Sequence, residues 1–315
     1  MLKQGTAPLI RICTLAMLLT ACQPQPQPEE VLPTEPAASE VQVESKHLEG
    51  ELQELNLVLP KCEGNNCSEL VVERLASNYA FIDAFMDEQI LSLLAETLSD
   101  APTVVKEQHN AKDAMAASEV EPASPKLQLE QRLIPYKDAF VSLDQELKAL
   151  SAGHPINVTV KPKILTADAP VATVVLNSNS YLGGAHGATT QTYYNFDLEQ
   201  QKQLRLEDLI APNQNKALQE KAYNAFKQWV VAAELAQDIA EYEQAWQFNM
   251  TNNFYLDEQG LVLQYAEYEI GPYVVGLPRL VIPYTELHGI LKSDYLPSEL
   301  QKTTPSAASA VQPQV

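Results

Sequence analysis

Positive charge is scarce in this chain: 21 Lys and Arg face 41 Asp and Glu among 315 residues, a formal charge of −20. That shortage argues against nucleic acid as a partner, because phosphate binding needs clustered Lys and Arg. It leaves two readings open: a cationic partner drawn in by the long-range field, or acid that keeps an exported protein soluble. Histidine is also sparse, at His47, His109, His154, His186 and His288. None are spaced as HxxEH, HxH or HxxxH, so no zinc signature is present and neither metal nor cofactor is expected. No GxSxG surrounds a serine, which removes the hydrolase elbow. "GGAHG" at 183–187 lacks the Lys and Ser or Thr of a phosphate-binding loop.

What is present begins with a leader. Lys3 and Arg11 flank the short apolar run "LIRICTLAMLL", too short for a spanning helix. Leu19-Thr20-Ala21-Cys22 resembles the lipobox of bacterial lipoproteins. The resemblance implies a signal peptide over 1–21, cleavage before Cys22, and acyl chains on that residue that anchor the protein to a membrane. An ordinary secretory signal with a chance cysteine is the alternative. Cleavage removes Lys3 and Arg11, leaving −20 − 2 = −22. Gln23 after the cysteine resembles the pattern sent to an outer membrane, facing the periplasm or the cell surface. Residues 22–47, rich in Pro, Glu and Gln and without an aromatic residue, read as a tether. Its reach is about 30 Å as a coil and up to about 80 Å if extended. Cys62 and Cys67 remain as an even pair in an oxidising compartment, suited to a local disulfide across "EGNN".

The foldable part divides into an N-terminal α+β subdomain over 48–152, with a flexible insertion at 99–126, and a C-terminal α+β domain over 153–297. Residues 298–315 read as tail. "ELQELNLVLP" and "ELVVERL" look like strands. Asn78 then caps a helix with apolar residues at Ile82, Phe85, Met86, Ile90, Leu93 and Leu94. A second helix carries Leu133, Tyr136, Phe140, Leu143, Leu147 and Leu150, with Pro135 near its first turn and Gly153 as its stop. "INVTVKPKIL", "VATVVLNSNSYL" and "TTQTYYNFDL" read as strands and "DLEQQKQL" as a hairpin turn. A helix starting near Asn213 and another carrying Leu235, Ile239, Tyr242 and Trp246 follow, then a hairpin turning at "DEQG" and a strand leading into a helix at Pro283. Strands and helices in runs rather than strict alternation predict α+β with a mainly antiparallel sheet, and a monomer.

His186 is the most conspicuous polar residue, exposed between Gly183, Gly184 and Gly187. It is open to reading as a turn residue, a binding residue or a catalyst. Glu267 and Glu269 fall two apart on an expected strand, hence on one face. They suit either a glycosidase pair or a solvated acidic face. Tyr181, Tyr193, Tyr194, Tyr265, Tyr268, Tyr273 and Tyr284 concentrate in the C-terminal half, where they either recognise a ligand or pack along the sheet.

"SYLGGAHGATTQTYYNFDLEQQKQLRLEDL" and "FYLDEQGLVLQYAEYEIGPYVVGLPRLVIPYTEL" resemble the C-terminal domain of the RsiV-like family. "SELVVERLASNYAFIDAFMDEQIL" is similar, more loosely, to the domain preceding it there and in PdaC-like peptidoglycan deacetylases. The resemblance covers roughly residues 50 to 295. It implies an extracytoplasmic α+β module that binds a ligand, lysozyme in the family's namesake. The chain departs from the family in having no internal spanning helix, sigma-binding segment or deacetylase domain. Neither anti-sigma nor enzymatic activity is therefore expected. The resulting expectation is an envelope lipoprotein that binds lysozyme or peptidoglycan through Tyr181, Gly183, Gly184, His186, Tyr193, Asn195, Tyr268, Glu269 and Tyr273. Two alternatives stand beside it: a cell-wall hydrolase or esterase using His186 with nearby carboxylates, and a structural envelope component.

Overall fold

The β-branched runs of the middle of the chain form the backbone of the architecture. In a computed structural model of the protein, which describes residues 46–64, 66–99, 123–150 and 154–301, β1 (Gly50–Glu54), β2 (Glu69–Ser77), β3 (Asn157–Thr166), β4 (Ala172–Tyr181), β5 (Ala188–Asp197) and β6 (Lys202–Leu204) lie side by side in that order in one sheet. Every pairing is antiparallel except β2 with β3, which run parallel. The stretches on either side of residue 153 thus share one sheet. A smaller antiparallel sheet holds β7 (Phe254–Leu256), β8 (Gly260–Gln264) and β9 (Arg279–Pro283). The fold is α+β. The leader, Cys22, the tether as far as residue 45, and residues 100–122 of the insertion expected over 99–126 lie outside the described residues, while Pro125 and Lys126, expected in that insertion, open a helix. Lys46 and His47 are already tied to the fold, His47 through a bridge to Asp168. No helix among the described residues is long and apolar enough to cross a membrane.

β4 explains why its sequence reads as an unbroken apolar run: both its faces are covered. Ala172, Val174 and Leu176 point into a core shared with α1 (Ala80–Thr97) and α2 (Pro125–Ala149), whose Ile82, Met86, Ile90, Leu94, Leu133 and Phe140 fill it. Val175 points the other way, beside Tyr193 of β5 and against Tyr255 and Val262 of the opposing sheet. That second layer is closed by α4 (Asn215–Ala232), which lays Leu218, Ala222, Phe226 and Val230 on Phe254, Leu261, Leu263, Leu280 and Ile282. The two sheets are stitched by amide side chains: Asn253 accepts from Tyr193 N at 2.8 Å and donates to Gln191 O at 2.8 Å. Asn195, 1% exposed, donates to Phe254 O and accepts from the Thr173 hydroxyl. These contacts satisfy backbone groups that no neighbouring strand reaches.

Several local expectations are corrected. α1 is capped at Tyr79 and not by Asn78, whose side chain instead joins His47 O and Glu49 N; Asp83 takes the backbone N–H of Ser77. Pro135 sits inside α2, which begins at Pro125 under a Ser124 cap. The stretch around Leu235 to Trp246 is helical only over α5 (Ile239–Tyr242). Short turns α3 (Leu206–Leu209), α6 (Tyr284–Leu287) and α7 (Ser298–Gln301) complete the chain, the last where tail was expected. Cys62 and Cys67 are disulfide-bonded, with their Cα atoms 5.7 Å apart.

Burial leaves an alkaline signature. Tyr194 packs edge-on against Phe85 with ring centroids 5.2 Å apart, and burial pushes its hydroxyl up to about 12. Burial, reinforced by Asp257, does the same to Tyr284. In the unfolded chain both titrate near 10. A folded value above the unfolded one means the native state holds its protons longer. Their stabilisation is therefore intact below about pH 10 and lost as pH rises through about 12. The urea midpoint is expected to hold to about pH 9.5 and then fall steeply, with Tyr194→Phe removing about one proton from the linkage. A midpoint that stays level from pH 9 to 12 would contradict this placement.

Candidate functional site

At the Tyr181 end of β4, three glycines shape the turn that "GGAHG" encodes. Gly183 and Gly184 adopt φ of +87° and +114°, a region an L side chain enters only with strain. At Gly187 a Cβ would lie 2.8 Å from Ser180 O. The turn, braced by the Tyr181 hydroxyl donating to Gly184 O, projects His186 into the open. Its Nδ1 lies 2.9 Å from the Gly187 carbonyl, which can only accept, so Nδ1 carries the proton. In the neutral ring Nε2 then accepts from the Tyr268 hydroxyl at 3.2 Å.

The other half of the site comes from the loop between β8 and β9. Tyr265 is fully buried and donates to Asn249 O; Ile270 is buried too, its carbonyl held by the Tyr242 hydroxyl. Burial, and then Glu269, drive the Tyr265 hydroxyl far above its ordinary value. Between these anchors Tyr268 takes φ +63°, and Glu269 folds back to accept from Ala266 N at 2.8 Å. Glu267 and Glu269 therefore lie in a turn beyond β8, not on one face of a strand. Tyr273, in a 3₁₀ turn, stacks on His186 with centroids 4.1 Å apart and donates to Gly187 O at 3.3 Å. Tyr268 stacks between Tyr273 at 5.6 Å and Trp246 at 6.5 Å. Four rings from three separated segments thus form one surface, of which Tyr268 and Tyr273 are 50% and 37% exposed and the neighbouring Val274 87%.

Beside this surface opens a cleft of ≈ 530 Å³ reaching from His186 towards the end of α1. Its polar walls are Ser178, Ser180, Thr190, Gln191, Thr192 and Asn253, with Glu96 as the lone carboxylate among the described lining residues. Thr190 Oγ1 is buried without a hydrogen-bond partner among the described residues. Such an orphan is uncommon in a folded protein.

The structure brings together His186, Gly183, Gly184, Tyr181, Tyr268, Tyr273 and Glu269 at one end of the sheet. It does not bring Tyr193 or Asn195, both buried: Tyr193 stacks on Tyr255 at 4.3 Å, and Asn195 links the sheets. Sequence reading missed Trp246 as a site residue, along with Thr190, Gln191 and Asn253. Among the described residues no cluster of His, Cys, Asp and Glu is arranged to hold a metal ion.

Comparison with known proteins places this architecture in wider company. No curated protein sequence matches the chain. Solved structures that match include a DUF3298 family protein (PA4972) from Pseudomonas aeruginosa PAO1, with a TM-score of 0.53 at 23% identity over 80% of this chain and 96% of that one. A DUF3298 member (BF2082) from Bacteroides fragilis NCTC 9343 matches with a TM-score of 0.51 at 18% identity, over 78% of this chain and 94% of that one. At those identities the likeness is one of fold. Residues 207–285, which include Trp246, Tyr268 and Tyr273 but not His186, match the family described as "Protein of unknown function (DUF3298)".

Proposed function

We propose that this chain is a cell-envelope lipoprotein, anchored through Cys22, whose aromatic surface and adjoining cleft bind the glycan of peptidoglycan without cleaving it. The observation that carries this reading is the stack of His186, Tyr273 and Tyr268 beside a cleft walled by neutral hydroxyls and amides. A sugar ring offers an apolar face and a rim of hydroxyls. Aromatic planes suit the first, and Ser, Thr, Asn and Gln suit the second without the desolvation cost of burying a charge. Cleavage is the less favoured reading. A glycosidase generally needs two carboxylates flanking the bond, whereas Glu96 is the lone carboxylate among the described lining residues and His186 contacts a carbonyl and a phenol.

A second reading is a cationic protein such as lysozyme, in line with the RsiV-like resemblance. The net charge of −20 and the exposure of Val274 beside the tyrosines favour it, since exposed aromatic anchors within an opposite field make good protein hot spots.

Calorimetry on the full chain in a neutral detergent separates the two, titrating soluble peptidoglycan fragments and lysozyme at low and physiological salt. Glycan binding is expected, nearly independent of salt, with His186→Ala and Tyr273→Ala each weakening it about tenfold or more. Unchanged glycan affinity in both variants would sink the site. Salt-sensitive lysozyme binding lost in the same variants, with no heat from glycan, would replace the first reading by the second.

A further inference from the structure

The opposite end of β4, about 30 Å from Tyr181 at the rise of an extended strand, carries a larger and chemically different opening. A groove of ≈ 900 Å³ runs between the end of β3 with its connection to β4 (165–171), the β7–β8 turn and the segment from Asp294 to Gln301. Its lining includes the carboxylates of Asp168, Asp257, Glu258 and Asp294, set among Leu165, Val171, Tyr255, Tyr284, Tyr295 and Leu296. No Lys, Arg or His is found in that lining among the described residues. His47 pairs with Asp168 from outside it. Asp257 is committed to its own turn, accepting from Gln259 N and Gly260 N. Asp168, Glu258 and Asp294 are exposed at the groove.

We propose that this groove is a second binding site, independent of the aromatic surface, that takes an extended basic peptide segment of a partner protein. Charge complementarity chooses the occupant: each unit of positive charge entering meets carboxylates from three separate chain segments, with no Lys or Arg among the described lining residues and only the His47 ring paired to Asp168 from outside. The apolar part of the wall explains why a lysine- or arginine-bearing peptide fits better than a bare cation. The methylene stems lie along Leu165, Tyr284 and Leu296 while the head groups stay among the acids. The tyrosine faces add cation–π attraction. The same negative field shows in Tyr295, whose hydroxyl is raised first by burial and then by Asp197, Asp208 and Asp294. An anionic ligand would be repelled by these carboxylates and a neutral one would forgo their attraction, while the aromatic surface offers its rings without such a carboxylate array.

The test uses the full chain in a neutral detergent and capped hexalysine as probe, followed by calorimetry at low and physiological salt. Asp168→Asn, Glu258→Gln and Asp294→Asn together keep shape while removing charge. They are expected to weaken hexalysine binding at least tenfold. The control Glu54→Gln, Glu220→Gln and Glu234→Gln removes the same charge from exposed positions elsewhere and is expected to change affinity less than threefold. Circular dichroism confirms that both variants are folded. Equal weakening by the two triples would mean attraction to net charge alone and overturns the site, as would hexalysine affinity unchanged in the groove variant. Spermine binding as tightly as hexalysine would assign the groove to polyamines and overturn the peptide. His186→Ala and Tyr273→Ala are expected to leave hexalysine binding intact, so failure of the glycan site and failure of the groove read out separately.

Discussion

Arg74→Ala is expected to destabilise the fold by about 3–5 kcal/mol, measured as the shift in urea unfolding at pH 7. Arg74 on β2 is 4% exposed and holds both carboxylate oxygens of Asp87 on α1, Nε at 3.1 Å and Nη2 at 3.0 Å. Asp87 is 7% exposed, and burial outweighs the pull of the guanidinium, so its carboxyl sits above its ordinary value. The pair therefore adds little net stability, but removing the cation alone strands a charge inside the sheet–helix interface. The sign of the pH dependence follows. Without Arg74 the folded carboxyl rises further above its unfolded value, so stability is regained as pH falls and the carboxyl protonates. The destabilisation should shrink between pH 7 and pH 5, and the double variant Arg74→Leu with Asp87→Leu should cost far less than Arg74→Ala. Arg132 and Glu88 make a similar fork, with Nη2 to Oε2 at 2.7 Å, but their side chains are 50% and 57% exposed. Solvent screening holds that pair to about 1 kcal/mol or less. Equal losses for Arg74→Ala and Arg132→Ala would show that burial does not govern the difference.

The contrast between these two pairs shows where the sequence stops being legible. An arginine thirteen residues before an aspartate has no local pattern; only the packing of α1 on β2 makes the pair buried. The same holds for the tyrosines. Tyr193 and Tyr194 are neighbours on β5, and strand geometry sends one towards Tyr255 and the other towards Phe85. Both faces of that sheet are covered, so neither is available to a ligand. Apolar spacing revealed the helices, because α1 and α2 each bury one stripe. The β-branched runs revealed β3 to β5 and the two hairpins, because those pairings are local. The parallel contact of β2 with β3 was hidden by its long sequence separation. In the candidate site, the glycines announced the turn bearing His186, since their positive φ and close approach have few substitutes. Trp246 joins Tyr268 only because a loop replaces the expected helix beyond Tyr242. The acidic groove was illegible for the same reason: its carboxylates come from three segments spread between residues 168 and 294, in a chain acidic throughout.

Gly260→Ala is expected to cost about 3 kcal/mol or more and to take the aromatic surface with it. Gly260 opens β8 opposite Pro283 of β9, and a Cβ there would fall 2.0 Å from Ile282 O, 2.8 Å from its carbonyl carbon and 2.9 Å from Pro283 Cα. Those atoms are backbone in a paired strand, so no side-chain rotation relieves the clash, and β8 and β9 must separate. The 265–278 loop that positions Tyr268 and Tyr273 spans these two strands. The chain has only two tryptophans. Trp229 lies against Gly271 of that loop and Trp246 stacks on Tyr268, so tryptophan fluorescence reports on this region directly. The variant should show a lowered fluorescence-detected urea midpoint and no glycan binding. Gly184→Ala makes the informative comparison. Nothing lies within 4 Å of a Cβ there, and its penalty is the φ of +114° alone, on the order of 1–3 kcal/mol. That variant should keep the tryptophan environment while shifting His186, weakening ligand binding with little change in the fluorescence transition. If Gly260→Ala instead leaves the midpoint within half a kcal/mol of the wild type, roughly the scatter of neutral surface changes, then β9 does not lie against β8 at this register. The loop holding the tyrosines would then need another support.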